Sequence, residues 1–105
     1  MDATNYSGLL NNKVLKERSR LLIVSFLMAA ETNNATFMTI QKSLNLSRGN
    51  LSIQLKTLNE AKYITITKIF KNNKPQTTIH LTNKGIISLK KYLSEMETVI
   101  ESIKV

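Results

Sequence analysis

Between Ser47 and Thr57 the chain sets out a row of side chains suited to reading hydrogen-bonding edges: Ser47, Arg48, Asn50, Ser52, Ile53, Gln54, Lys56 and Thr57. Arginine can donate two parallel bonds to guanine, asparagine or glutamine can address adenine, and isoleucine can meet a thymine methyl. Leu51, Leu55 and Leu58 recur at i, i+4 and i+7, which predicts a helix over about 47–61 that buries the leucines and turns this row outward. Ser47 is a natural cap for its start. Taken singly, Arg48 and Lys56 fit solvated surface charges, and Ile53 fits a scattered surface apolar residue. Their convergence on one helix face is what points to base reading.

A second group lies further along. Tyr63–Ile69 is a β-branched run and Ile79 and Leu81 alternate with Thr78 and His80, so about 63–81 predicts a hairpin. Its turn region holds Lys68, Lys71, Asn72, Asn73 and Lys74, a basic tip able to meet phosphates or a neighbouring minor groove. Lysines also blunt strand edges against aggregation, so the tip alone is a weak signal.

Chemistry of other kinds has little to work with. The chain has no cysteine and a single histidine, His80, which removes disulfides, thiolate zinc sites and histidine clusters. No paired carboxylates, nucleophile–base set or phosphate-cradling glycine loop appears, so no enzyme, no metal site and no cofactor is expected. The charge points elsewhere. Fifteen Lys and Arg against seven Asp and Glu leave +8, an excess that favours a polyanionic partner. It is also segregated: residues 1–92 hold 14 basic and 4 acidic side chains, while residues 93–105 hold 1 and 3.

The elements that position these groups follow from the pattern. Residues 1–8 read as a loose arm, and a helix is predicted from about residue 12 to residue 30, capped by Asn11 or Asn12. Its second half, Leu21–Ala30, follows basic residues as a signal peptide would, but it is too short to span a bilayer and reads as a buried core helix. A cytoplasmic, nucleoid-associated protein with no membrane partner is the expectation. A short strand at Ala35–Phe37 and a short helix at Thr39–Leu44 precede the leucine-faced helix. Thr82 can cap a last helix over about 83–104, where Ile86, Leu89, Leu93, Met96, Ile100 and Ile103 form an a/d seam. At ~1.5 Å per residue such a helix is roughly 30 Å long, so part of it should project and need a partner. A second copy is expected there, with Leu9 and Leu10 adding apolar surface. The whole, residues 1–105, reads as one domain of α+β, mainly α class: a helical core with a β-hairpin wing, a winged helix-turn-helix, plus a long C-terminal dimerisation helix.

The run Leu46–Ile64, particularly Gly49-Asn50-Leu51-Ser52 with Leu55 and Leu58, resembles the recognition helix of small bacterial and archaeal winged-helix transcription regulators of the MarR and ArsR types. Lys74–Gly85 resembles their second wing strand and the entry to their last helix, and the likeness runs from about residue 20 to residue 93. The resemblance implies a homodimer on a pseudo-palindromic operator, usually as a repressor of transcription. Three positions depart from the family pattern: Lys62 stands where glycine is usual, Met38 where a Ser or Thr cap is usual, and Gln54 where histidine is common. If the backbone at Lys62 is left-handed, a small strain follows. The metal sites of metal-sensing relatives have no counterpart. A winged helix used as a protein-interaction module and one that binds structured RNA are the competing readings. A dimer crevice beneath the last helix is the expected place for an apolar small-molecule effector, though no residue demands one.

Overall fold

The computed structural model describes residues 5–104. Seven elements follow in order: α1 (Arg18–Ala29), β1 (Asn34–Thr36), α2 (Phe37–Leu44), α3 (Arg48–Glu60), β2 (Ile64–Lys71), β3 (Lys74–Leu81) and α4 (Asn83–Ile103). The architecture is a winged helix, mainly helical, with an antiparallel three-stranded sheet in the order β1-β3-β2.

The first helix begins later than the periodicity suggests. Asn12 does act as a cap, its Oδ1 accepting from the backbone N–H groups of Val14 and Leu15 at 2.9 Å, but it closes a single turn. Glu17 then caps α1 proper, its carboxylate accepting from the Arg20 N–H at 3.0 Å. The helix after the first strand also starts earlier than expected, at Phe37, because Thr36 supplies the cap by accepting from the Thr39 N–H at 3.1 Å. Met38 therefore stands inside α2 and is not the cap.

Every element contributes to one core. Leu15, Ile23, Val24, Leu27, Ile40, Leu51, Leu58 and Ile79 have no exposed surface, and Leu55, Tyr63, Ile64, Leu89 and Tyr92 complete the cluster. Each such side chain contributes about 1.5–3 kcal/mol relative to leaving it in water. β3 lies between its partners: Ile79 faces Ala35 of β1 on one side and Ile66 of β2 on the other. His80 is occupied structurally, with its Nε2 2.8 Å from the Thr67 hydroxyl.

The hairpin turns on two residues, Asn72 and Asn73. Lys71 pairs with Lys74, leaving Asn72 and Asn73 at φ 54° and 61°. Two successive positive φ values give the primed turn whose twist matches that of the strands, and asparagine tolerates it better than most side chains. Lys62, between α3 and β2, is left-handed at φ 66°, so this lysine accepts a conformation suited to glycine.

At that same corner α4 meets the sheet. Thr82 caps α4 by accepting from the Gly85 N–H at 3.1 Å, and it donates its hydroxyl hydrogen to the Lys62 carbonyl at 2.7 Å. A Cβ added at Gly85 would sit 2.5 Å from the Tyr63 carbonyl oxygen, whereas one at Gly49 would meet nothing within 4 Å. Gly85→Ala is therefore expected to destabilise the protein by about 1–3 kcal/mol through overpacking. Gly49→Ala, on an exposed helical position, should instead raise stability by up to about 1 kcal/mol. Urea unfolding midpoints of the two variants check this pair.

Candidate nucleic-acid interface

α3 is fixed from within and open outside. Ser47 caps it, with its Oγ accepting from the Asn50 N–H at 3.1 Å. Leu51, Leu55 and Leu58 are buried beneath it, which leaves Arg48, Gly49, Ser52, Ile53 and Lys56 exposed, Ile53 by 64%. Asn50, Gln54 and Thr57 lie half-buried along the flank.

Two of those flanking side chains belong to a network reaching across the fold. Arg20 of α1 donates from Nη1 to Gln54 Oε1 at 2.7 Å and from Nε to the Val14 carbonyl at 2.8 Å. Gln54 in turn donates from Nε2 to Asn50 Oδ1 at 3.0 Å. This ties α3 to the start of α1 and sets the amide orientation of both residues. Arg48 is also held, its guanidinium stacked over the Phe37 ring 5.4 Å from the centroid.

Between α3 and the hairpin lies a cleft of about 900 Å³. It gathers residues of both basic groups: Arg48, Ser52 and Lys56 from α3, with Lys68, Lys71, Asn72 and Lys74 from the wing. Thr36, Phe37, Met38 and Gln41 of the β1–α2 region close its end, and periodicity gave no sign of this contribution. No carboxylate lines the cleft. Among the described residues the one ion pair is Lys104–Glu101 at the far end of α4, so the five cleft cations have no acidic partner. Asn50, Ile53, Gln54, Thr57 and Asn73 lie outside the cleft lining.

The seam of α4 divides in two. Leu89 is 1% exposed and belongs to the core of its own chain, with Met96 packed against that core, because α1 runs beneath this part of the helix. Leu89 is thus unavailable to a second copy, and Ile86 is half-buried. Leu93 (39% exposed), Ile100 (49%) and Ile103 (69%) remain open, as does Ile87 on another face of α4. Leu9 and Leu10 are half-buried, Leu10 against the core. The segment carrying them runs along α4, where the Leu10 N–H donates to Glu95 Oε1 at 3.1 Å and the Tyr6 hydroxyl meets that of Ser102. No helix among the described residues is long and apolar enough to cross a membrane.

A capped, leucine-anchored helix beside a basic hairpin is the scaffold of winged-helix DNA-binding proteins. The family model for the winged helix DNA-binding domain matches residues 19–100, and the chain belongs to that family. It is 29% identical over 92 residues to an uncharacterised protein of Methanocaldococcus jannaschii, spanning 88% of this chain and 98% of that one. A solved transcriptional regulator homologue from Pyrococcus horikoshii OT3 superposes with a TM-score of 0.83 at 28% identity, covering 91% of this chain and 93% of the other. A MarR family transcriptional regulator from Streptomyces coelicolor, solved in complex with DNA, shares the fold with a TM-score of 0.70 at 13% identity, covering 90% of this chain and 61% of that one.

The Arg20 network yields a prediction of its own. Arg20→Ala removes the donor to Gln54 and to the Val14 carbonyl, leaving part-buried acceptors unpaired, and is expected to destabilise the protein by about 1–3 kcal/mol. Lys56→Ala, on the open face, should stay within about 0.5 kcal/mol of the parent. Thermal and urea melts of the two variants distinguish them.

Proposed function

We propose that this chain binds double-stranded DNA sequence-specifically as a homodimer and represses transcription from a pseudo-palindromic operator. The observation that carries the reading is the cleft whose five cations lack carboxylate partners and lie between an outward-facing helix and a hairpin. Five uncompensated positive charges around one concave surface need a polyanion, and a duplex backbone running between α3 and the wing supplies it. α3 then enters the major groove with Arg48 and Ile53 toward base edges, while Lys68, Lys71 and Lys74 follow the phosphates. Gly49 supports this geometry. Its Cβ would have open space in the free protein, so its lack of a side chain serves nothing internal and suits close approach of a duplex to the start of α3.

Fluorescence anisotropy on random-sequence and selected duplexes tests the reading. At about −0.9 per phosphate, contacts from Lys56, Lys68, Lys71 and Lys74 in each protomer should give a slope of log K against log salt of about −3 to −4 per protomer. A flat response between low and physiological salt removes the electrostatic basis. Arg48→Ala and Ile53→Ala should cost about 1–3 kcal/mol on the selected duplex and much less on random DNA, whereas Lys71→Ala and Lys74→Ala should weaken both alike. Uniform effects from all four variants would overturn the assignment of base-reading roles. A protein-interaction module would show no duplex preference at all.

The dimer is supported by the open distal part of α4, where Leu93, Ile100 and Ile103 lie exposed on a helix with 21 residues. Ile100→Lys puts a charge into that apolar contact and should give monomers by sedimentation that remain folded, because Ile100 lies outside the core. Operator affinity should fall with it, and half-sites should lie about 10–10.5 base pairs apart, or a multiple of that. A wild-type protein that is monomeric at micromolar concentration refutes this arm.

A further inference from the structure

The wing ends in apolar side chains that the fold does not use. Phe70 is 80% exposed and Ile69 52%, while Ile64 and Ile79 at the base of the hairpin are buried. Alternation along β2 places Phe70 on the face that carries Ile64, Ile66 and Lys68, and Ile66 and Lys68 line the cleft beside α3. Its directly opposed neighbour in the register is Pro75, which lines the same cleft. Directly opposed residues of an antiparallel pair share a face. Phe70 therefore shares a strand face with Ile66 and Lys68, about 13 Å beyond Ile66 at ~3.3 Å per residue, and lies outside the cleft lining itself.

Its surroundings are basic. Lys71 adjoins it in the chain, Lys74 adjoins Pro75 and Lys68 precedes it on the same face, and among the described residues none of the three has a carboxylate partner. The two-residue asparagine turn joins the strands without slack. An aromatic ring held beyond the core, with Lys68 on its own face and Lys71 and Lys74 on the other, is suited to a partner with phosphates outside and stacked apolar faces within. The minor groove of a duplex has that construction, and apolar side chains that enter it act as wedges between base steps.

We propose that Phe70, backed by Pro75, is such a wedge: the wing inserts it into the minor groove beside the α3 site, partly unstacking one base step and kinking the duplex. This rests on the reading of α3 and the wing as a DNA-binding surface. It adds selectivity at positions that no side chain hydrogen-bonds, because pyrimidine–purine steps unstack most readily. Lys68, Lys71 and Lys74 hold the flanking phosphates while the ring enters.

The experiment uses the full chain and duplexes that the wild type selects from a random-sequence library. Affinity and salt slope are measured by anisotropy, bending by energy transfer between the duplex ends, and unstacking by permanganate reactivity of thymines. The wild type is expected to shorten the end-to-end distance and to create a reactive thymine. Phe70→Ala should abolish both and weaken binding about tenfold with the salt slope unchanged, since no phosphate contact is lost. Phe70→Leu, which keeps an apolar wedge, should retain the bend. The ring lies outside the core, so both variants should melt with the wild type. A wild type that binds without bending or thymine reactivity, or a Phe70→Ala that still bends the duplex, overturns the wedge and leaves the DNA-binding reading standing. Loss of self-association in Phe70→Ala with the bend intact assigns the ring to a protein contact instead, which also overturns it. A wild type that selects no duplex overturns both.

Discussion

The molecule is organised by a helix with almost no polar face. α1, Arg18–Ala29, places charge at its start and then runs through Leu21, Leu22, Ile23, Val24, Phe26, Leu27 and Met28 with Ser25 as the one interruption. Such a helix calls for cover on more than one side. α2, α3, α4, β1 and β3 all pack on it. Ile23, Val24 and Leu27 are buried by this packing while Leu21, Leu22, Phe26 and Met28 stay half-buried, so α1 is the element against which α3, α4 and the sheet are placed. Arg20 extends this control to the outer surface, because its bond to Gln54 couples the entry of α1 to the flank of α3.

That dependence decides what could be read from the residues in order. Ser47, the leucine triplet of α3, the hairpin and the Thr82 cap are local signals, each complete within a few residues, and the structure has them where the pattern puts them. The turn at Asn12 and the cap at Glu17 are local too, yet periodicity ran through both because a capped turn continues the apolar spacing of the helix after it. The seam of α4 was illegible for a different reason. Leu89 and Leu93 both fall on the seam, yet Leu89 and the later Met96 pack into the core of their own chain while Leu93 between them is exposed, a division that spacing does not show. Arg20 and Gln54 lie 34 residues apart, and no spacing rule joins them. The Phe37 side of the cleft depends likewise on how β1 brings α2 beside the wing.

The charge on the cleft is stored against its own repulsion. Five cations share one concavity without a carboxylate to offset them. At physiological ionic strength the Debye length is about 8 Å, so solvent ions screen most of this in the free protein. A polyanion neutralised there would give up its own condensed counterions, which is the source of steep salt dependence in such association. Extended strands ending in a tight turn keep the lysines spread along the hairpin. Three of the seven carboxylates lie late in α4, away from the cleft, where Glu95 accepts from the Leu10 N–H and Glu101 pairs with Lys104.

One corner links the parts that would have to act together. The exit of α3 turns through the left-handed Lys62, whose carbonyl accepts from the Thr82 hydroxyl. The Tyr63 carbonyl accepts from the Thr82 N–H at 3.0 Å. Thr82 closes β3 and caps α4, and Gly85 lets the first turn of α4 rest directly on the Tyr63 backbone. α3, both strands of the wing and α4 thus meet within a few residues, through backbone groups and the short Thr82 side chain. The start of α4 is thereby held against the exit of α3 at three points, the Lys62 carbonyl, the Tyr63 carbonyl and the close approach at Gly85.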